Sequence, residues 1–452
     1  MHIDSIVNFP FPSAPDKSRF VEAEKLLVWL GALERDSLKI TSMGRKMASF
    51  PLSPRYSKML LVGLQNKCLD YAINLVAALS VGDPFIRDQG MEESEKEVEL
   101  DRKNYYKVHA MLAGDPADSD ALKLFHAFGA FEYSGHTEKF CESHYLRYKP
   151  MREMMQLKRQ LIGILKSMVP SYRQNRRLKP PGPNEKNILR QIILAGFIDQ
   201  VSQREGSQAM VGSRVFGYHG IGGDGKERLL VHPHSCLYAR CGRKSADAPE
   251  FIVYEDLVRS SGGSGDRVNM KGITVVDRDW IARIAGPSNC SFGKALEVPQ
   301  PRYDETQDCM VYSCTPVFGR DPSNQWSLPV CERRVSDLIS LASPDASNRS
   351  RQADLFYRHF CRELLSGRVI TDGPFGEFSS KLVSNANVML KPWTVPKVVD
   401  LLVPIKQARI MDKRSLLDQF KKQPNFLLKG YLSWIADDLH DAVRASWPQL
   451  SK

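Results

Sequence analysis

The chain has 452 residues, of which 42% are hydrophobic and 25% charged, with a net charge of +11. That length exceeds what one core can organise and fits roughly two to four domains. No apolar run approaches the ~20 residues that span a bilayer, and the amino terminus lacks the basic-then-apolar order of a secretory signal. The nine cysteines are scattered, odd in number and without a CxxC pair, so they fit reduced thiols better than a disulfide scaffold.

In chain order, Phe9-Pro10-Phe11-Pro12 and Pro15 exclude a regular helix over residues 1–15, which read as the tail of a preceding domain. Residues 16–67 follow the order helix, wing, short helix, helix. Gly31 closes a helix carrying Phe20, Leu27 and Leu30, and Leu38-Lys39-Ile40 favours a strand. Thr41 suits an N-cap, and Ser53-Pro54 starts the next helix with Pro where a missing N–H costs nothing. That order predicts a winged helix. Residues 68–183 read as helical: Asp70 to Leu79, an acidic run at Glu92 to Glu99, then helices over Asp101–Leu112, Ser119–Phe131 and Pro150–Met168.

The last of these helices carries the strongest functional signal. Met154, Leu157, Leu161, Leu165 and Met168 recur at three- and four-residue steps and define a buried stripe. Arg152, Arg159 and Lys166 recur every seven residues on the opposite side. Between Arg147 and Lys179 stand ten Lys or Arg against one acid, Glu153, a net +9 in a chain whose total is +11. Charge so concentrated predicts a phosphate-binding face, because each neutralised phosphate releases counterions.

Leu178-Lys179-Pro180-Pro181-Gly182-Pro183 is a linker, and Asn184 is expected to cap a helix to Ala195. Five strand-like runs then follow: Phe197–Gln203, Arg214–His219, Glu227–Pro233, Glu250–Tyr254 and Val268–Val276. Short strands with glycine-rich turns predict a small barrel over residues 184–286. Residues 287–452 are expected to hold a strand over Met310–Phe318 and helices at Ala353–Leu365, Pro396–Lys406 and Ser415–Lys422, anchored by Trp326, Trp393, Trp434 and Trp447.

Several motifs point to chemistry that their context denies. Gly220 to Lys226 nearly spells a phosphate-binding loop, but a strand follows where a helix is needed, and Glu227 stands where a Mg²⁺-binding hydroxyl belongs. His232, His234 and Cys236 with Cys241 have metal-like spacing yet are expected on an ordinary strand, and Cys309 with Cys314 repeats the gap. Arg240-Cys-Gly-Arg243 echoes an arginine finger without partner motifs.

As strings, many of these stretches resemble the DEAH-box RNA helicases. LGALERDSLKITSMGRKMASFPLSPRYSKML, from Leu30, is similar to the winged helix that follows their two motor domains, and VNFPFP before it to the seam where the second motor domain ends. FCESHYLRYKPMREMMQLKRQL resembles their helical ratchet domain, with Glu153 and Met155 departing from a basic pattern. LLVHPHS, FIVYEDLV and VVDRDWI resemble their OB-fold. PRYDETQDCMVYSCTPVFG and FLLKGYLSWI with a closing SWP resemble the carboxy-terminal extension of the branch that acts in small-subunit ribosome assembly.

The resemblance implies a multidomain α+β chain: winged helix, ratchet bundle, OB-fold barrel and a mostly helical extension, with the motor domains absent. Residues 1–15 would end the missing second motor domain. It implies an RNA-channel half of a 3'–5' helicase, with Lys149, Arg152 and Lys158 matching basic family positions and Arg159 and Lys166 extending that face. Arg214 and Lys271, basic on or beside strands, are the expected contacts in the barrel. ATP and Mg²⁺ would belong to the motor domains, with no cofactor, catalytic residue or metal in this chain. The implied partners are single-stranded RNA (precursor ribosomal or small nucleolar RNA) and small-subunit processome proteins in the nucleolus, with no membrane. A naturally motor-free RNA- or protein-binding scaffold is the alternative on the same residues.

Overall fold

The computed structural model describes residues 9–86, 96–175, 178–206, 216–222, 227–242, 248–262, 265–336, 346–391 and 395–451. They form two compact units, residues 1–291 with 317–328 and residues 292–316 with 329–452. No helix among them is long and apolar enough to cross a membrane.

The first unit opens with α1 (Lys17–Trp29), capped by Asp16, whose carboxylate accepts from the Ser18 amide. Gly31 follows with φ +73°, the left-handed geometry that ends a helix cheaply in glycine. A bridge between Leu33 and Ile40 forms the wing. Thr41 then caps α2 (Ser42–Met47) by accepting from Gly44, and Pro54 begins α3 (Pro54–Gln65). A side chain at Gly44 would meet the Ala32 carbonyl at 2.2 Å, so the wing closes directly over this glycine.

A bundle follows: α4 (Leu69–Val81), α5 (Lys96–Ala113), α6 (Asp120–Tyr133), α7 (Glu138–Ser143) and α8 (Tyr148–Met168). Its core holds Leu75, Val76, Phe125, Phe128 and Phe131 with Met151, Met154, Leu161 and Leu165 from α8. Helix α9 begins at Pro183 rather than Asn184 and runs to Gly196, packing on α3, α4, α6 and α10 (Arg278–Asn289).

Seven of this unit's strands are β1 (Val201–Arg204), β2 (Gly217–Gly220), β3 (Arg228–Val231), β4 (Phe251–Val253), β5 (Asp256–Gly262), β6 (Gly265–Lys271) and β7 (Thr274–Val275). They form one sheet in the order β5-β6-β3-β2-β1-β4-β7, antiparallel except for β3 beside β6. Strand β5 was not among the expected runs. It lies at the sheet edge, pairs only with β6, and so needs no buried alternation to declare itself. Residues 198–200 form a 3₁₀ turn, and His232 to Cys236 form turns, so the three supposed ligands do not share a strand face. Among the described residues no His, Cys, Asp and Glu group could hold a metal. Gly220 to Gly222 leave β2 and β3 follows; residues 223–226 of the glycine loop lie outside the described set.

The expected strand Met310–Phe318 is two strands. After β8 (Cys290–Phe292) and β9 (Arg302–Asp304) come β10 (Cys309–Cys314), in the second unit, and β11 (Pro316–Phe318), whose Val317 and Phe318 pair with β12 (Trp326–Ser327) in the first. Trp326 accordingly packs against Phe251 and Phe318 and not in the extension.

In the second unit β10 is the centre of a three-stranded sheet between β9 and β13 (Cys331–Arg334). Around it lie α11 (Ala346–Leu365), α12 (Pro374–Glu377), α13 (Pro396–Gln407) and α14 (Lys413–Lys422). Phe375, Phe420, Tyr431 and Trp447 form its aromatic centre, with Phe375 and Tyr431 rings 4.5 Å apart. Trp434 is fully buried and donates its indole N–H to the Lys397 carbonyl at 3.1 Å. Trp393 lies outside the described residues.

Candidate nucleic-acid interface

Helix α8 buries Met154, Leu161 and Leu165 of its predicted stripe, whereas Leu157 and Met168 are only half-buried. Met151, Met154, Leu161, Ile162 and Leu165 are buried against α4, α6 and α7, while Lys149, Arg152, Arg159 and Lys166 are exposed. Lys149, Arg152 and Arg159 line one open groove with Phe131, His136 and Tyr148, and the Arg152 guanidinium lies 5.9 Å from the Tyr148 ring centre. Three cations beside the half-buried Tyr148 ring suit an anionic, base-bearing chain, the cations meeting phosphates and the tyrosine offering a stacking face, whereas Phe131 is fully buried.

The rest of the predicted set divides. Lys166 is two turns beyond Arg159, in a separate recess with Pro170, Tyr172 and Arg173. Lys158 does not belong to the exposed face. Its ammonium lies 2.5 Å from Glu132, whose other oxygen accepts from the Asn74 amide at 3.0 Å, and its side chain is 13% exposed. This corrects the expectation that it faces RNA. Seven-residue spacing puts Arg152, Arg159 and Lys166 outward; one residue earlier, at 158, the helix has turned about 100° toward α6. Lys158→Ala is expected to cost about 1–3 kcal/mol of stability by stranding Glu132, with RNA affinity unchanged. Urea unfolding beside an RNA titration checks both halves of that statement. Arg214 lies outside the described residues.

Lys271, at the end of β6, faces a cavity between the helical bundle and the sheet. Leu79, Phe85 and Leu124 form its apolar wall, and Lys123, His232, Glu255 and Lys271 its polar one. Lys123 makes a 2.9 Å hydrogen bond to His109 Nδ1 and lies over the Phe85 ring. Burial and the neighbouring ammonium push the His109 imidazole down to about 4, so at neutral pH it accepts that bond uncharged. Burial, with the Asp120 and Asp256 carboxylates nearby, raises Glu255 to about 8.

The start of α6 fixes this cavity. Ser119 caps the helix by accepting from Leu122 and bonds Thr274 at 2.7 Å. Asp118 pairs with Arg240 at 2.5 Å and Arg190 at 3.6 Å. Asp120 accepts from Ser235 Oγ at 2.7 Å, the Cys236 amide at 2.8 Å and the Ile273 amide at 2.9 Å. Arg240, which echoed an arginine finger, is thus a structural clamp. A second clamp is bidentate, Arg55 to Asp199 at 2.5 and 2.8 Å, joining α3 to the turn before β1. The sequence signal for the first clamp is slight: the triplet Asp118-Ser119-Asp120 reads only as a helix start.

Among the described residues, the basic side chains divide between two places. The α8 groove lies within the bundle, while the cavity at the bundle–sheet junction draws its cations from Lys123 and Lys271. The physical reason is that α8 spends its apolar face on α4, α6 and α7, while the beginning of α6 is stitched to β7.

Comparison with known proteins agrees with this architecture. Residues 23–52 match the model "Helicase associated domain (HA2), winged-helix", 53–124 match "Helicase associated domain (HA2), ratchet-like", and 189–288 match "Oligonucleotide/oligosaccharide-binding (OB)-fold". Residues 374–451 match "DEAH helicase DHX37 C-terminal domain". The human "Probable ATP-dependent RNA helicase DHX37" is 31% identical over 99% of this chain, and "Putative ATP-dependent RNA helicase rha-2" of Caenorhabditis elegans 29% identical over 100%. "ATP-dependent RNA helicase DEAH13" of Arabidopsis thaliana is 27% identical over 100%. The chain spans 38% of the human and nematode relatives and 37% of the plant one. It has the winged-helix, ratchet and OB-fold arrangement of their carboxy-terminal parts, and it belongs to the DEAH-box RNA helicase family.

Proposed function

We propose that this chain supplies the RNA-channel wall of an ATP-dependent 3'–5' RNA helicase acting in small ribosomal subunit assembly and rRNA processing. The observation that carries the RNA contact is the groove of Lys149, Arg152 and Arg159 beside Tyr148, on the long helix of a ratchet-like bundle. The match of residues 374–451 to a DHX37 carboxy-terminal domain supports an extension belonging to one branch of the DEAH helicases, and the resemblance of that extension in sequence is what suggests ribosome assembly. On this reading the winged helix acts as a hinge, α8 bears on the RNA backbone and the OB-fold lines the exit. Lys166 and Lys271 extend the path beyond the first groove. ATP and Mg²⁺ would be held by the motor domains of the intact helicase. The RNA would be a precursor ribosomal or small nucleolar RNA, the protein partners those of the small-subunit processome, and the place the nucleolus.

The test is binding of a fluorescent single-stranded oligouridylate to the full chain over a salt series. Three backbone contacts predict that log K falls against log salt with a slope of about −2. A flat response sinks the reading.

A further inference from the structure

The second unit carries an arrangement of two thiols that the RNA reading does not use. Strands β10 and β13 are antiparallel, and their register places Cys314 directly opposite Cys331. Side chains directly across such a pair have Cβ atoms about 4.5–5.5 Å apart, just beyond the ~3.5–4.5 Å of a disulfide, so little movement separates thiols from a bond. Cys314 is fully buried, whereas Cys331 is partly exposed.

Their positions along the chain give the pair a consequence. Residues 317–328 leave the second unit for the first, and the chain departs just after Cys314 and returns just before Cys331. A bond between them would close a loop over residues 315–330 and fasten the base of that excursion. We propose that Cys314 and Cys331 are a redox-modification site, converted by a peroxide into a cross-strand disulfide that clamps the two ends of the β11–β12 hairpin.

The chemistry balances with hydrogen peroxide as oxidant. The Cys331 thiolate attacks one peroxide oxygen; an S–O bond forms, the O–O bond breaks, and the departing hydroxide takes up a proton as water. The Cys314 sulfur then attacks the Cys331 sulfenic acid. The S–S bond forms, the S–O bond breaks, and hydroxide leaves with the Cys314 proton as a second water. Two thiols lose two electrons and one peroxide gains them. Cys331 suits the first step, because the facing Cys314 thiol, and after it the Arg333 charge, hold its pKa below that of a free thiol. Cys314, shielded from solvent, suits the second.

The experiment treats the full chain with hydrogen peroxide, digests it without reductant, and maps cysteine linkages by mass spectrometry. The expected product is a Cys314–Cys331 cross-linked peptide that dithiothreitol cleaves and that Cys331→Ser loses completely. In Cys314→Ser, dimedone should trap a sulfenic acid on Cys331. Because a change at buried Cys314 can unfold the chain, native wild type is also alkylated before and after peroxide. Loss of labelling at Cys331, restored by dithiothreitol, is the result that needs no variant. Cys331 driven to sulfinic acid without a cross-link, or still alkylated after peroxide has oxidised other cysteines, overturns the proposal.

Discussion

Asp120→Ala is expected to lower the unfolding free energy of the first unit by about 2–5 kcal/mol, an unusually large loss for one small side chain at a helix start. One carboxylate accepts from two backbone amides, Cys236 and Ile273, and from the Ser235 hydroxyl. Alanine leaves both amides without their acceptor, at roughly 1–3 kcal/mol each where water cannot replace it. Asp120→Asn keeps one carbonyl oxygen and should lose about half as much. Denaturant unfolding reads the size of the effect. Amide hydrogen exchange locates it: protection should fall at Cys236 and Ile273, while β2 and β3 keep theirs. Unchanged exchange at those two amides would mean that the clamp contributes little. Because Lys271 lies two residues before Ile273, losing the clamp should also unseat the cation facing the junction cavity.

Arg152→Ala with Arg159→Ala should weaken single-stranded RNA binding about tenfold or more at low salt, whatever the base sequence. Both guanidinium groups line the groove, and neither serves the fold as Lys158 does. Each lost phosphate contact removes about 0.7 from the salt slope of a single strand, so the double variant should show a slope shallower by about 1.4. The matched comparison is Lys158→Ala, which removes one positive charge from the same helix but from its inner side. If all three changes lower affinity alike, the groove geometry is irrelevant and only bulk charge matters. If the double variant alone moves the slope, the face is the contact. Thermal unfolding should stay close to wild type for the double variant, because exposed arginines away from caps and ion pairs seldom shift stability by more than about 0.5 kcal/mol.

Much of this protein is legible in its amino-acid order because the signals are local. Thr41 as cap and Pro54 as first helical residue need only their immediate neighbours to act. The buried stripe of α8 follows from the helical repeat, and its outward residues Arg152, Arg159 and Lys166 follow with it. Strand β5 escaped notice because an edge strand with half-exposed side chains carries no alternating burial. The run 310–318 is evenly apolar, and its one mark is Pro316, which lacks a ladder N–H and stands where β10 has ended and β11 begins.

What tertiary structure alone decided is which of these residues meet. Lys158 and Arg159 are adjacent and equally basic, yet one is neutralised by Glu132, twenty-six positions earlier, and the other is free to line the groove. Asp120 reads as an ordinary first-turn acid until Cys236 and Ile273 are brought to it across more than a hundred residues. Cys314 and Cys331 are two scattered thiols until antiparallel pairing sets them face to face. Periodicity fixes the direction a side chain takes from its own backbone; the partner waiting in that direction depends on how distant segments pack, and no spacing along the chain encodes it.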